Sequence, residues 1–233
     1  MMDNGSAARG KENQMFTGII ESLGTILQVR SQGEGKELHI RCDLDLAHTR
    51  IGDSIAVNGA CLTAVRLGKH DFFVDMAPET VFRTTFKTAR PGMRVNIERA
   101  MQLSSRIDGH LVSGHIDGTG TITALEKNSN AVVLTIAVDR SLAAEMIEKG
   151  SVAVDGISLT INQCTDTDFC VSIIPHTAGR TTIGIKHIGD QVNIETDMLG
   201  KYVRKFLTQT PAMHTGTGKS DISMALLAKN GFL

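Results

Sequence analysis

His115, Cys61, Ser54 and Asp197 are residue types that carry protons and hydrogen bonds, and an internal comparison of the chain draws attention to them. The stretch LVSGHIDGTGTI over residues 111–122 repeats MFTGIIESLGTI over residues 15–26, yet Ile19 of the first copy becomes His115 in the second. Cys61 is matched by Ser158, Ser54 by Ser151 and Glu79 by His176, while Thr63 and Thr160 agree. An imidazole takes up and releases a proton near neutral pH, and thiols and hydroxyls can donate to a developing anion. Each residue also has an ordinary reading. A lone Cys is usually a small core residue, Ser54 follows a Gly-Asp turn, and His115 beside Gly114 can be a satisfied strand histidine. Asp197 can cap a helix, and Lys149 needs no ligand at a helix C-terminus.

Other motifs fall away on spacing. His110 and His115 are five residues apart, which on a strand points them to opposite faces, and no other His or Cys grouping has metal-ligand spacing. HTGTGKS over residues 214–220 lacks the glycine five positions before its Gly-Lys pair, where Met213 stands, so it is not expected to cradle phosphate. There is no dinucleotide fingerprint, no nucleophile elbow and no obvious carboxylate pair. From the residues alone, the chain reads as a two-barrel protein that binds something small.

The elements that must position these groups follow from the repeat. Residues 72–100 align without a gap to residues 169–197, with 12 of 29 positions identical, where chance gives about two. AVNGACLTAV from Ala56 matches AVDGISLTIN from Ala153 at the same offset. Each copy is a run of short Val-, Ile- and Thr-rich segments separated by turn signals such as Asn58-Gly59, Asp155-Gly156, Gly33-Glu34-Gly35 and Asn128-Ser129-Asn130, the signature of antiparallel β structure. An all-β chain with two tandem small closed barrels is expected, because closure removes the exposed edges. Helical pieces are expected at DLDLAHTRIG before Asp53 and at DRSLAAEMIEKG, the latter ending at Gly150 with Lys149 in its last turn. Met198, Leu199, Tyr202, Val203 and Phe206 recur at helical spacing, so a C-terminal amphipathic α-helix follows the second copy. Residues 208–233 are Gly-, Thr- and Ser-rich and are expected to be mobile.

Composition bounds the partners. The 233 residues carry 24 basic and 25 acidic side chains with 41% hydrophobic content, enough for packed cores and without a basic stripe for nucleic acid. No apolar run is long enough for a bilayer, and residues 1–14 lack the apolar centre of a secretion signal. A cytoplasmic protein is expected. Its four cysteines, Cys42, Cys61, Cys164 and Cys170, form no C-x-x-C pair and are expected as reduced thiols.

Taken together, MFTGIIE from Met15, NGACLT from Asn58, GHLVSGHIDG from Gly109, DGISLT from Asp155, IPHT from Ile174 and VNIETD from Val192 resemble the riboflavin synthase family of the single-chain, duplicated-barrel type. The resemblance covers residue 15 to about residue 207 in block order and spacing. It implies two similar six-stranded Greek-key barrels, over residues 15–108 and 109–196, followed by a trimerisation helix over 197–207. The polar lead 1–14 is a departure, since chains of this family generally start at the methionine of MFTGIIE, and 208–233 carries no matching motif.

The implied activity is dismutation of 6,7-dimethyl-8-ribityllumazine by four-carbon transfer, giving riboflavin and 5-amino-6-(ribitylamino)pyrimidinedione. It needs no metal and no cofactor. The resemblance further implies a homotrimer with active sites between subunits, and association with lumazine synthase. Matching positions place Phe16, Ser54, Cys61, His115 and Asp197 in the catalytic set, with His115 moving protons. Substrate binding falls to Gly18, Ile19, Ile20, Ala60, Cys61, Leu62, Thr63, Val74, Asp75, Met76, Ala77, Pro78 and Glu79 in the first copy. In the second it falls to Gly114, His115, Ile116, Lys149, Ser158, Leu159, Thr160, Ile173, Ile174, Pro175, His176, Thr177 and Ala178. A transfer between two copies of one molecule requires two similar sites that differ enough for one to give and the other to take. The competing readings are a non-catalytic lumazine- or flavin-binding antenna, a type whose second barrel typically loses the site residues, and an adaptor without ligand.

Overall fold

The computed structural model describes residues 15–209. The expectations for residues 1–14, for HTGTGKS and for the segment from residue 210 onward lie outside them. Six strands form the first barrel: β1 (Ser22–Gln32), β2 (Gly35–Cys42), β3 (Ser54–Val57), β4 (Ala60–Leu67), β5 (Asp71–Met76) and β6 (Arg94–Arg99). Six more form the second: β7 (Gly118–Asn128), β8 (Ala131–Ala137), β9 (Ser151–Val154), β10 (Ile157–Cys164), β11 (Asp168–Ile173) and β12 (Gln191–Thr196). Every pairing is antiparallel, and both sets close in the same order, β1-β2-β5-β4-β3-β6 and β7-β8-β11-β10-β9-β12. Register shifts recur at equivalent places, Ile26/Gln28 with Ile122/Ala124 and Ala64/Arg66 with Ile161/Gln163. Such bulges bend strands, which so small a barrel needs in order to close.

Both interiors are solid. Ile26, Leu38, Ile40, Ile55, Leu62, Phe72, Val74 and Ile97 fill the first, while Ile122, Leu134, Ile136, Leu159, Phe169, Ile173 and Ile194 fill the second. Apolar side chains occupy these interiors, and the polar side chains of Ser54, Thr63, Asp75 and Thr160 alternate with them toward the outside. Asn58-Gly59 and Asp155-Gly156 each turn with both central residues at positive φ, as two-residue hairpins require. These turns meet tip to tip, and a Cβ at Gly59 would stand 2.7 Å from the Gly156 nitrogen.

Two helical expectations are corrected. Residues 43–52 form turns, not a helix, because Asp45 and Asp53 accept from the backbone N–H groups of Ala47 and Arg50 and so compete with helical bonding. In the second copy α2 spans only Arg140–Ala143, after α1 (Pro78–Arg83) in the first copy. Lys149 is not in its last turn. It sits at φ 63° and donates its N–H to the Ile161 carbonyl, aligning the chain for β9. After α3 (Pro175–Arg180), α4 spans Met198–Gln209, capped by an Asp197 carboxylate that accepts from the Leu199 N–H at 3.0 Å. Leu199, Tyr202, Val203 and Phe206 on this helix are exposed.

Candidate functional site

The residues before β1 and before β7 are leaders that cross between the barrels. Phe16 pairs with Val112 in an isolated antiparallel bridge. Thr17 and Gly18 give their N–H groups to the Glu98 carboxylate at 2.7 and 3.0 Å, and Ser113 and Gly114 give theirs to Glu195 at 2.6 and 2.9 Å. Each leader then hands a carbonyl to the opposite barrel. Gly18 accepts from the Ser158 N–H and Gly114 accepts from the Cys61 N–H, both at 2.8 Å. Glycine is needed here twice over: both residues have φ near +77°, and a Cβ would stand 2.7 Å from Ser158 or 2.5 Å from Cys61.

His115, carried by the second copy, follows Gly114, whose carbonyl is bonded to Cys61 of the first barrel, and Ile19 of the first copy follows Gly18, whose carbonyl is bonded to Ser158 of the second. Both side chains are exposed.

In the first half-site Ser54 lies opposite Thr63, Cys61 opposite Ala56, and Thr63 opposite Asp75. Ser54, Cys61, Thr63 and Asp75 thus share the outer face of the barrel. The Ser54 hydroxyl hydrogen-bonds the Cys61 thiol, but burial pushes that thiol above its ordinary pKa. Cys61 is therefore a neutral hydrogen-bonding group at neutral pH, not a thiolate nucleophile. Ile19 and Ser54 also line an open depression of about 710 Å³ with Thr17, Asp53, Glu98 and Arg99.

In the second half-site Ser158 lies opposite Ala153 and Thr160 opposite Ser151. The Ser158 hydroxyl is 2.7 Å from His110 Nδ1, and the Asp197 carboxylate acts on the same imidazole. Lys149 joins this edge through its backbone, one residue along β10 from Thr160.

Other expected residues are placed differently. Phe16 is completely buried in a cluster with Ala56, Val112 and Ala153, against which Cys61 is partly buried, so its ring is a packing element. Ala60, Leu62, Val74, Met76, Ile116, Leu159 and Ile173 are buried in the core, where only their backbone can meet a ligand. Ala77, Pro78, Ile174, Pro175 and His176 are exposed at the starts of α1 and α3, with Thr177 and Ala178 partly buried behind them, and Ile20 packs partly on the second core. Glu79 forms an exposed ion pair with Arg83 at 3.0 Å. Among the described residues, no group of three or more His, Cys, Asp or Glu side chains could hold a metal ion.

His110, Glu98 and Glu195 were missed as site residues. The glutamates are identical in both copies, and attention to differences between copies passes over what both share. Burial pushes the Glu98 carboxyl up to about 7 against the pull of its three donors from Thr17 and Gly18. Because the folded pKa lies above the unfolded one, this group stabilises the fold least above pH 7. Its ionisation should lower stability by roughly 3 kcal/mol as pH rises from about 4.5 to 7. Carboxyl-carbon NMR should show Glu98 titrating near 7; a midpoint near 4 would refute the shift.

Comparison with known proteins gives one consistent result. The family model described as the lumazine binding domain matches twice, at residues 17–100 and 113–197. Riboflavin synthase of Bacillus subtilis (strain 168) is 46% identical over 218 residues, covering 94% of this chain and all of that protein. Riboflavin synthase of Photobacterium phosphoreum is 43% identical over 220 residues with the same coverage. Among solved structures, LumP complexed with 6,7-dimethyl-8-(1'-D-ribityl) lumazine shares the fold with a TM-score of 0.69 at 22% identity, covering 78% of this chain and 98% of that one.

Proposed function

The chain belongs to the riboflavin synthase family, and we infer from this premise how its crossed leaders serve the reaction. It is an enzyme that converts two molecules of 6,7-dimethyl-8-ribityllumazine into riboflavin and 5-amino-6-(ribitylamino)pyrimidinedione by moving a four-carbon unit from one to the other. The observation that carries the assignment of roles is the pair of similar outer-face clusters, Ser54–Cys61 bonded to the second copy's leader at Gly114 next to His115, and Ser158–Thr160 with Asp197 nearby, bonded to the first copy's leader at Gly18. Catalytic relatives at 43–46% identity favour this reading over the antenna alternative.

In this proposal His115 removes and returns protons at the 7-methyl group of one lumazine, which ring conjugation acidifies. Ser54 and the neutral Cys61 thiol donate to the resulting anion. Ser158, Thr160 and Asp197 orient the second molecule, and Phe16 acts by holding Gly114 and hence His115. Backbone around Gly18–Ile20, Ala60–Leu62, Val74–Glu79 and Ile173–Ala178 cradles the rings. Holding two flat rings face to face can replace up to roughly 7–11 kcal/mol of the barrier to a bimolecular step. The same reading includes a homotrimer in which the first barrel of one subunit faces the second barrel of its neighbour, with the exposed apolar residues of α4 packing on their counterparts. It also includes a cytoplasmic location and association with lumazine synthase. Among the described residues no helix is long and apolar enough to cross a membrane.

The test is to mix the full chain with 6,7-dimethyl-8-ribityllumazine, without metal or nucleotide, and follow flavin absorbance. Riboflavin should appear steadily at half the molar amount of lumazine consumed. Bound lumazine fluorescence without riboflavin would make this an antenna.

A further inference from the structure

The two half-sites hold their central polar atom by different means. In the first barrel the Cys61 thiol is paired with Ser54, its neighbour on the adjoining strand. Its counterpart Ser158 is paired instead with an imidazole from the crossing leader, His110, whose Nδ1 stands 2.7 Å from the hydroxyl oxygen.

The pairing is built in. The His110 N–H donates to the Thr17 carbonyl at 3.1 Å, and the Ser158 N–H donates to the neighbouring Gly18 carbonyl at 2.8 Å. Histidine and serine therefore hang from consecutive carbonyls of one extended leader, itself fastened to Glu98 by three hydrogen bonds. Gly109 allows this approach, because a Cβ there would stand 2.1 Å from the Thr17 oxygen and 2.9 Å from the Ser158 Cβ. Burial keeps the imidazole on its neutral side, opposed only by the Asp197 carboxylate. A serine hydroxyl otherwise has three staggered wells; a fixed ring nitrogen selects one.

We propose that His110 is a positioning residue of the second half-site, fixing the Ser158 hydroxyl in the direction that meets the bound lumazine. This rests on the functional reading above. It gives the two half-sites unequal polar anchors, a side-chain pair between adjoining strands of the first barrel against a pair between the second copy's leader and its own barrel, and so contributes to the inequivalence the transfer needs.

The experiment compares steady-state kinetics of wild type, H110A, H110N, H110Q, S158A and H110A/S158A with 6,7-dimethyl-8-ribityllumazine. H110A should lose about tenfold in kcat, the value of one well-made hydrogen bond, with KM changed less than about twofold. H110N should recover most of the loss, since its amide reaches the place of Nδ1, and H110Q should not. In the S158A background H110A should cost nothing further, because the two residues act as one unit. Wild-type activity in H110A, equal losses in H110N and H110A, or multiplicative losses in the double variant would overturn the role. If H110A does not fold, the Nδ1 nitrogen shift of His110 in wild type decides: it should move on S158A substitution, and an unmoved shift rejects the pairing. A wild type that makes no riboflavin rejects the functional reading and the kinetic role with it, whereas an active wild type with indifferent His110 rejects only this proposal.

Discussion

Replacing His115 by Gln should lower kcat by on the order of a hundredfold while changing KM by less than about threefold, the pattern of a lost proton-transfer group. Glutamine reaches about as far and keeps hydrogen-bonding capacity, but it cannot hold a proton in transit. The backbone that presents the side chain does not depend on it: the His115 N–H is held by the Ser113 hydroxyl at 3.2 Å, and Gly114 is fixed by Glu195 and Cys61. The side chain is exposed, so folding should be indifferent to the change. The measurement is steady-state riboflavin formation with substrate affinity read separately from lumazine fluorescence. Equal losses in turnover and affinity would reduce His115 to a binding contact. Ile19→Gln, at the equivalent place one residue after Gly18, should affect turnover far less, which separates the chemistry from the position.

The repeat made much of this architecture legible. Alternating Val, Ile and Thr between the Asn58-Gly59 and Asp155-Gly156 turns led to two closed antiparallel barrels, and Asp197 before an amphipathic run led to a capped helix. The crossing of the leaders was not legible, because matching residues 15–26 with residues 111–122 says which positions are equivalent but not which barrel each one serves. That depends on a long-range bridge, Phe16 with Val112, and on carbonyls delivered across the seam. His110 escaped for a related reason: its position in the first copy falls in the polar lead, so the repeat offered no contrast, and its partner Ser158 lies 48 residues away. The helix expected before Asp53 failed because local carboxylate capping of turns outweighs weak helical periodicity over ten residues.

The second large effect concerns a charge at the junction of the barrels. Asp155 is fully buried; its Oδ1 accepts from the Asn193 N–H at 2.8 Å, and Oδ2 has the Lys186 ammonium 3.2 Å away. Its counterpart in the first barrel is the neutral Asn58, whose Oδ1 accepts from the Asn96 N–H at 2.7 Å in the same geometry. At the position equivalent to Lys186 the first copy has Ala89. The copies therefore hold two self-consistent solutions to one problem: an amide without a counter-charge, or a carboxylate with one. Lys186→Ala alone mixes them. Burial already pushes the Asp155 carboxyl above its ordinary pKa, with Lys186 opposing, so removing the ammonium leaves a charge that must stay unpaired or take a proton. The expected loss is about 3–5 kcal/mol of unfolding free energy at pH 7. Because the folded carboxyl then binds a proton more readily than the unfolded one, the loss should shrink as pH falls. Asp155→Asn in the same background recreates the first copy's arrangement and should restore most of the stability at neutral pH. Urea unfolding of the single and double variants at pH 5 and 7 checks both statements. A double variant no more stable than Lys186→Ala would show that the lysine matters through its bond to the Gln191 carbonyl, 2.6 Å from Nζ, and not through the buried charge.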